Sequence, residues 1–243
     1  MKNQIAAIIL AAGKGTRMKS DLPKVMIPVC GKPMIRHIID TLEELGVDEI
    51  TAVIAPDGEL VRKEISPHKS VVQEKQLGTG HAVLSAKDAL KGFDGVVLVV
   101  FGDSPMTGKE TFQKAIDKVR EGSSVVVLGF RPEDAARYGR LKMSGDKLEK
   151  IIEYKDATEE ERKIGFCNSG IMAFDGRRMF GLLEKIGSNN AANEYYLTDV
   201  IAVANGQGLG CSTVEAAPEE VVGANTVEEL ALLEELFRKK KKC

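Results

Sequence analysis

A glycine-rich segment near the start of the chain combines small residues with several cations. It runs Leu10-Ala11-Ala12-Gly13-Lys14-Gly15-Thr16-Arg17-Met18 and is followed by Leu22-Pro23-Lys24. Its cations are Lys14, Arg17, Lys19 and Lys24, opposed only by Asp21. Glycines permit a tight turn and let backbone amides approach a polyphosphate, whose charge such cations would offset. The segment therefore predicts a phosphate-binding loop, with a tight surface turn carrying incidental charge as the alternative.

Two standard nucleotide-binding patterns do not fit this segment. No Walker A sequence, G-x-x-x-x-G-K-[ST], can be read through it. Only the first half of the dinucleotide pattern G-x-G-x-x-G is present, because position 18 is methionine. The acidic residue that a dinucleotide site needs about 20 positions further on is Asp40, which falls inside a predicted helix, where ribose binding is disfavoured. A plain dinucleotide-binding protein is thus the weakest hypothesis.

Apolar runs rich in β-branched residues recur along the chain and alternate with helical patterns. The runs, which fit parallel strands buried on both faces, are Ile5–Leu10, Glu49–Ile54, Val96–Phe101 and Ser124–Gly129. The helical patterns are Pro33–Leu45, Gly80–Leu90 and Lys109–Glu121. This alternation predicts an α/β fold with a doubly wound, mostly parallel, Rossmann-like sheet. The glycine-rich segment follows the first strand and so lies at the carboxyl edge, where such sheets bind ligands.

The middle of the chain has a different pattern, with shorter strands. A β-hairpin is predicted where Gly139–Met143 and Lys147–Ile152 flank a Ser-Gly-Asp turn. A strand at Asn168–Phe174 and a helix at Arg177–Ile186 follow. These short elements predict a small β-rich lobe laid across the carboxyl edge of the main sheet.

The composition of the chain limits the class of protein it can be. Its 243 residues carry 34 Lys+Arg against 36 Asp+Glu, a net charge of −2, and 43% are hydrophobic, values typical of a soluble globular protein. The near-neutral charge argues against nucleic-acid binding, and no apolar stretch approaches the roughly 20 residues that span a bilayer. We expect a cytoplasmic protein without membrane association. Its four cysteines form no C-x-x-C pair, so neither a zinc site nor a redox dithiol is indicated.

The glycine-rich segment with Leu22-Pro23-Lys24 resembles the L-x-x-G-x-G-T-R-M…L-P-K signature of sugar-phosphate nucleotidylyltransferases. Gly31-Lys32-Pro33-Met34 is similar to the motif that follows in that family. The resemblance implies that Arg17 and Lys24 contact the phosphates of a nucleoside triphosphate and act in catalysis. It also implies a loop that wraps the nucleotide, made of Leu10, Ala11, Ala12, Gly13, Gly15 and Thr16.

A second block resembles one branch of that family, the N-acetylglucosamine-1-phosphate uridylyltransferases. It comprises Gln73 and the run Gln76-Leu77-Gly78-Thr79-Gly80-His81-Ala82. The resemblance implies that Gln73, Gly78 and Thr79 bind the uracil of UTP. A glutamine amide offers both a donor and an acceptor to a pyrimidine edge, which suits this role. A helix N-terminus capped by Thr79 is a second interpretation that can hold at the same time.

Two residues that are far apart in the sequence could together hold one magnesium ion. Asp103 follows the predicted strand Val96–Phe101, and a carboxylate at that edge suits Mg²⁺, although a loop-capping role is equally compatible with the residues alone. Asn225 precedes Thr226 and would otherwise be interpreted as a helix cap or turn residue. The motifs Gly102-Asp103-Ser104-Pro105 and Gly223-Ala224-Asn225 resemble the metal-binding motifs of the family. The resemblance therefore implies a Mg²⁺ cofactor held by Asp103 and Asn225.

The sugar-binding positions of the family match five residues in order and spacing. Their motifs are Tyr138-Gly139-Arg140, Ile152-Glu153-Tyr154-Lys155-Asp156-Ala157, Asn168-Ser169-Gly170 and Asn193-Glu194-Tyr195-Tyr196-Leu197-Thr198-Asp199. The implied sugar-binding residues are Gly139, Glu153, Asn168, Tyr196 and Thr198. The resemblance implies one nucleotidylyltransferase domain over 1–243, with a nucleotide-binding part at 1–108 and 210–230, a sugar-binding lobe at 109–209 and a C-terminal helix at 226–242.

The resemblance covers residues 5–230 and implies a specific reaction. Uridylyl would pass from UTP to N-acetylglucosamine 1-phosphate, giving UDP-N-acetylglucosamine and pyrophosphate, with these small molecules as the partners and no protein partner implied. Uridylyl or thymidylyl transfer to another sugar 1-phosphate, such as glucose 1-phosphate, is one alternative, and a non-catalytic nucleotide-sugar sensor is another. Bifunctional members also carry an acetyltransferase of hexapeptide repeats. These 243 residues contain none, so acetyl transfer is not implied, and a stand-alone enzyme and part of a longer one remain alternatives.

Overall fold

Uninterrupted aliphatic runs form the strands at the centre of the fold, because helices cover both faces of the sheet. The computed structural model describes residues 3–13, 15, 18 and 20–241. The strands are β1 (Ile5–Ala11), β2 (Pro28–Val29), β3 (Lys32–Pro33), β4 (Glu49–Ile54), β5 (Lys69–Val72), β6 (Val96–Phe101), β7 (Val125–Phe130), β8 (Arg140–Ser144), β9 (Lys147–Ile152), β10 (Cys167–Asp175) and β11 (Cys211–Glu215). The helices are α1 (Met34–Glu44), α2 (Glu59–Glu64), α3 (Thr79–Leu84), α4 (Lys109–Arg120), α5 (Glu159–Arg162), α6 (Gly176–Leu183), α7 (Val200–Gly206) and α8 (Val227–Lys241).

Within these described residues, the main sheet has nine strands, seven of them in the order β11-β7-β10-β6-β1-β4-β5. Parallel pairs join β1 to β4 and β6, β4 to β5, and β7 to β11. Strand β10 runs antiparallel to both of its neighbours, β6 and β7. Six of the seven strands therefore run in one direction. The predicted α/β fold with a mostly parallel, Rossmann-like sheet is confirmed.

Successive residues of β1 point to opposite faces of the sheet, and each face packs against its own helices. Ile8 and Leu10 belong to the core beneath α3, α6 and α7. Ala7 and Ile9 belong to the core beneath α1, α2 and α4. Because both faces are covered, the strand is apolar throughout, and the doubly wound arrangement predicted from the runs is present.

The antiparallel strand β10 brings its first residues to the carboxyl edge of its parallel neighbours. Cys167 lies opposite Phe130, the last residue of β7, and Asn168 lies opposite Gly129. The β8–β9 hairpin is antiparallel, as predicted, and joins the sheet through the pair Cys167–Arg140. Strands β7 and β10, which lie within 109–209, belong to the same sheet as β1 and β6.

One predicted helix is shorter than expected. Instead of a single helix over Gly80–Leu90, α3 ends at Leu84 and a separate 3₁₀ turn forms at Asp88–Leu90. Between them, backbone bonds span three residues, as from the amide of Lys87 to the carbonyl of Leu84 at 3.0 Å. Such tighter bonds end an α-helix. Among the described residues, no helix has the length and apolar character required to cross a membrane.

Candidate active site

A cleft of about 390 Å³ opens at the carboxyl edge of the sheet, beside the ends of β1 and β6. Loops that are far apart in the sequence form its walls, because the parallel strands that precede them end at one edge. The residues that line it are Leu10, Ala12, Gly13, Lys24, Val25, Gln73, Gln76, Gly78, Thr79, Ala82, Phe101, Asp103, Glu194 and Asn225. This cleft brings together predicted nucleotide-binding, catalytic and metal-binding residues.

Not every predicted nucleotide-binding residue lines this cleft. The side chain of Ala11 packs into the core beneath α1, α2 and α4. Gly15 lies behind Lys24, and a Cβ atom built on it would approach the Lys24 Cβ to 2.6 Å. Thr16 and Arg17, which the sequence assigns to nucleotide binding and catalysis, lie outside the described residues. The predictions for those two positions stay predictions.

The two glycines of the loop after β1 differ in what their backbone requires. Gly15 has a φ of +60°, a left-handed conformation that side chains rarely adopt, and it also lies against the Lys24 stem. Gly13 has no positive φ, and a Cβ atom on it would meet nothing within 4 Å. The turn therefore requires glycine at position 15, whereas the protein alone does not require one at position 13.

The Lys24 ammonium group bridges the two predicted metal ligands. Its Nζ donates to the Oδ2 of Asp103 and, at 2.7 Å, to the Oδ1 of Asn225. The Lys24 and Asp103 side chains are only 12% and 19% exposed, so solvent screens this ion pair weakly. An acidic and an amide oxygen thus converge on one cationic group at the edge of the cleft.

The segment before α8 directs Asn225 toward Lys24. Thr226 caps the helix, since its Oγ1 accepts a bond from the Glu229 amide at 3.2 Å. The Glu229 carboxylate in turn accepts from the Asn225 amide at 2.6 Å. The cap role that the sequence allowed for Asn225 therefore belongs to Thr226. A Cβ atom on Gly223 would lie 3.1 Å from the Asp103 carbonyl oxygen, so this segment also packs against the aspartate.

The Asp103 and Asn225 oxygens are suitable ligands for Mg²⁺. Magnesium prefers oxygen donors and often keeps few protein ligands, taking the rest from phosphates and water. Among the residues that the structure describes, no three His, Cys, Asp or Glu side chains are grouped in a way that could hold a metal. A Mg²⁺ held by Asp103 and Asn225 would therefore take its remaining oxygen ligands from water or from the phosphates of a bound substrate.

The loop before α3 is held from the inside by Gln73. This side chain is 4% exposed, and its Nε2 lies 3.2 Å from both the Gly78 carbonyl oxygen and the His81 Nδ1. The Gln76 amide nitrogen donates to the Ala12 carbonyl at 2.6 Å and so ties this loop to the one after β1. The two predicted nucleotide-binding loops therefore form one connected wall.

The segment before α7 supports the same loop from the other side. The Tyr195 carbonyl accepts from the Gly80 amide at 2.8 Å, and the Leu197 amide donates to the Thr79 hydroxyl at 3.0 Å. The Thr79 hydroxyl thus serves this long-range contact, and the interpretation of Thr79 as a helix cap is wrong, because the cap position is Gly78. Gly78 has a φ of +113°, and its Cβ would lie 2.6 Å from the Tyr195 carbonyl oxygen.

Four predicted sugar-binding residues are neighbours beside the cleft. The Asn168 amide donates to the Gly139 carbonyl at 2.8 Å, and the Thr198 hydroxyl donates to the Glu153 Oε1 at 2.9 Å. The Glu153 Oε2 lies 3.6 Å from where a Gly139 Cβ would be. Burial raises the pKa of Glu153 above its ordinary value, and the Thr198 hydrogen bond partly opposes that rise. Tyr196, the fifth residue, directly precedes the 3₁₀ helix at Leu197–Asp199.

Several residues near the site were not predicted to belong to it, and three of them are polar or charged. Gln76 and Glu194 line the cleft. Arg140 is 2% exposed and holds the loop that precedes Gly139. Its guanidinium donates to backbone carbonyls of Arg162 at 3.1 Å, of Ala135 and Ala136 at 3.2 Å, and of Tyr138. Gln76, Glu194 and Arg140 all lie inside the motifs that carry the family resemblance. Their place in those motifs could have indicated that they belong near the site.

Comparisons with known proteins identify the family and the fold of this chain. Residues 7–186 match the family described as the MobA-like NTP transferase domain. Bifunctional proteins GlmU from Rhodospirillum rubrum and Paramagnetospirillum magneticum are 50% and 47% identical over 235 and 238 residues, covering 96% and 97% of this chain. Each alignment covers 53% of the relative, so the chain spans about half the length of the curated relatives it matches. A solved structure from Bacillus anthracis, assigned as a glucose-1-phosphate thymidylyltransferase, has a TM-score of 0.78 at 21% identity over 96% of this chain and 95% of that one, and supports the fold.

Proposed function

Because the chain belongs to the MobA-like NTP transferase domain family, we propose that it transfers uridylyl from UTP to N-acetylglucosamine 1-phosphate. The products are UDP-N-acetylglucosamine and pyrophosphate. The observation that carries the proposal is the convergence of Lys24, Asp103 and Asn225 in a cleft walled by the loop before α3. The GlmU relatives, at 47–50% identity, support the choice of this branch.

The chemistry requires positioning and charge neutralisation rather than a strong base. The phosphate of a sugar 1-phosphate is already anionic, so it can attack the α-phosphorus of UTP in line with the departing pyrophosphate. Lys24, a cation at the edge of the cleft, would neutralise charge on the leaving phosphates, and Arg17 has the same role by its motif match. Mg²⁺ held by Asp103 and Asn225 would polarise phosphate oxygens and offset their charge.

The uracil base of UTP would lie against the loop before α3, which the Gln73 side chain holds in place. The Gln73 amide nitrogen is directed to the Gly78 carbonyl and to His81, so its carbonyl oxygen is the group left to accept a bond from a base. The ring nitrogen N3 of uracil carries a hydrogen that can donate to this oxygen, whereas N3 of cytosine is an acceptor. This arrangement favours UTP over CTP, and it does not separate uracil from thymine.

The sugar would lie against the cluster of Gly139, Glu153, Asn168 and Thr198. The segment before α7 connects the two parts, since Leu197 bonds to Thr79 while Thr198 bonds to Glu153. Carboxylate and amide groups suit the hydroxyl and N-acetyl groups of the sugar. We assign nucleotide binding to residues 1–108 and 210–230 and sugar binding to 109–209, in a cytoplasmic enzyme with small-molecule substrates and Mg²⁺.

Pyrophosphate release tests this proposal directly. The protein is incubated with UTP, Mg²⁺ and either N-acetylglucosamine 1-phosphate or glucose 1-phosphate. We expect release that depends on the N-acetylated sugar and that an Asp103→Asn variant loses. Release with glucose 1-phosphate alone would overturn the choice of sugar. No pyrophosphate release with any sugar 1-phosphate, despite binding of UTP, would favour a non-catalytic sensor.

A further inference from the structure

The point at which Asp103 and Asn225 would hold a divalent cation is taken by the ammonium group of Lys24. Its Nζ contacts the Asp103 carboxylate and lies 2.7 Å from the Asn225 Oδ1. We propose that Lys24 closes this cation position in the ligand-free protein, so that a divalent ion enters only when nucleotide phosphates draw Lys24 away. The inference rests on the proposed function and adds an order to the binding of its substrates.

Lys24 and a divalent ion exclude each other at this position. A magnesium ion binds its oxygen ligands at about 2.0–2.1 Å, so an ion on both side chains would occupy the space of the Lys24 ammonium group. The ion pair is 12% and 19% exposed, and repulsion between the lysine and an incoming ion is therefore weakly screened. While Lys24 remains in place, Asp103 is already neutralised and offers little attraction to a metal.

The nucleotide is suited to release this contact. The loop after β1 touches the Lys24 stem, because a Gly15 Cβ would lie 2.6 Å from the Lys24 Cβ and 3.2 Å from its Cγ. That loop is the one proposed to wrap the phosphates. A lysine side chain has a flexible four-carbon stem and a compact charge, so its head group can turn toward a triphosphate while its backbone stays fixed.

The donor set also favours joint entry of ion and nucleotide. Over the described part of the chain, no group of three or more acidic, histidine or cysteine side chains could hold a metal. One carboxylate and one amide leave most of an octahedral shell to be filled by phosphate oxygens and water. The phosphates would therefore remove the competing ammonium group and supply the missing ligands in the same step.

Titration of the ligand-free protein with Mn²⁺ alone tests the inference, with unbound ion measured by electron paramagnetic resonance. We expect Lys24→Met to bind Mn²⁺ at least about tenfold more tightly than the wild type. Adding Asp103→Asn to Lys24→Met should remove the gain. Lys91→Met is the matched control, because it makes the same charge change before the start of β6, whereas Asp103 follows its end. This control should bind like the wild type.

Equal Mn²⁺ affinity in the wild type and Lys24→Met would overturn the inference, as would an equal gain in Lys91→Met. Thermal denaturation checks that Lys24→Met is folded, and Lys24→Gln, which is also uncharged, replaces it if it is not. The titration contains neither nucleotide nor sugar. Its outcome is therefore independent of turnover, and failure of the proposed reaction would appear only in the pyrophosphate assay.

Discussion

The Lys24 ammonium group lies 2.7 Å from the side-chain oxygen of Asn225, a residue 201 positions further along the chain. Lys24 follows the first loop of the fold, whereas Asn225 is set by the start of α8. Leu233 and Phe237 anchor this helix in a buried cluster with Val29 and Met34. The geometry of the candidate cation site therefore depends on how the last helix docks against the first part of the chain.

Removing the anchor of α8 should therefore weaken both the fold and the site. Phe237 is 2% exposed and its ring centre lies 4.3 Å from that of His37. We expect Phe237→Ala to lower the free energy of unfolding by about 3–5 kcal/mol, from lost burial and the cavity left behind. Turnover should fall as well, because Asn225 is no longer held.

Leu232→Ala is the matched control for Phe237→Ala, since Leu232 lies on the same helix and is 51% exposed. Its effect on unfolding should stay within about 0.5 kcal/mol. Urea unfolding and pyrophosphate release measure the two properties. Similar losses in both variants would show that the buried face of α8 does not anchor the site.

Gly78 is constrained by the protein itself, not only by a ligand. A Gly78→Ala substitution would force a side chain into a φ of +113° and within 2.6 Å of the Tyr195 carbonyl oxygen. We expect it to cost about 1–3 kcal/mol in unfolding free energy and to raise the KM for UTP. Gly181→Ala, inside α6 with nothing within 4 Å of the new Cβ, should instead be neutral or stabilising. Equal destabilisation of both variants would contradict this account.

Arg140 should act on sugar binding without touching the sugar. Its guanidinium satisfies backbone carbonyls of Ala135, Ala136 and Tyr138, and Gly139 follows directly. A lysine cannot reproduce this planar set of donors. We expect Arg140→Lys to raise the KM for the sugar 1-phosphate at least about tenfold while the KM for UTP changes little. An equal rise in both KM values would assign Arg140 a purely structural role, and unchanged KM values would show that it does not position the sugar site.

Glu153 should make the stability of the protein depend on pH. Burial raises its pKa above the ordinary value of 4.5, so the folded protein holds this proton more tightly than the unfolded chain. Ionisation therefore opposes folding, and its contribution lowers the free energy of unfolding as pH rises from 4.5 through the raised value. In Glu153→Gln that fall should be smaller, as measured by urea unfolding from about pH 4 to 7. An unchanged pH dependence would contradict the raised pKa.

Much of the fold follows from local patterns in the sequence. The run Val96–Phe101 matches β6 residue for residue, because a strand covered on both faces must be apolar throughout. Asp103 could be placed at the carboxyl edge because it lies two residues after the end of this strand. The motifs that carry the resemblance assigned both Glu153 and Thr198 to sugar binding. In the structure the two side chains are joined by a hydrogen bond of 2.9 Å.

Contacts between distant segments could not be predicted in this way. The Thr79 hydroxyl accepts a bond from Leu197, 118 residues later, and no local pattern distinguishes that role from a helix cap. The bridge from Lys24 to Asp103 and Asn225 likewise exists only once three loops meet at one edge. The helix α3 ends early because its backbone hydrogen bonds change to ones that span three residues. The apolar pattern of the segment does not indicate where that change occurs.

The fate of the α-phosphorus of UTP decides whether the protein transfers uridylyl to the sugar 1-phosphate. The protein is supplied with Mg²⁺, N-acetylglucosamine 1-phosphate and UTP labelled at that atom, and the products are separated by chromatography. We expect the label to move into UDP-N-acetylglucosamine, while the pyrophosphate that leaves is unlabelled. Recovery of the label only in UTP, or in free UMP, would show that uridylyl is not transferred to the sugar 1-phosphate.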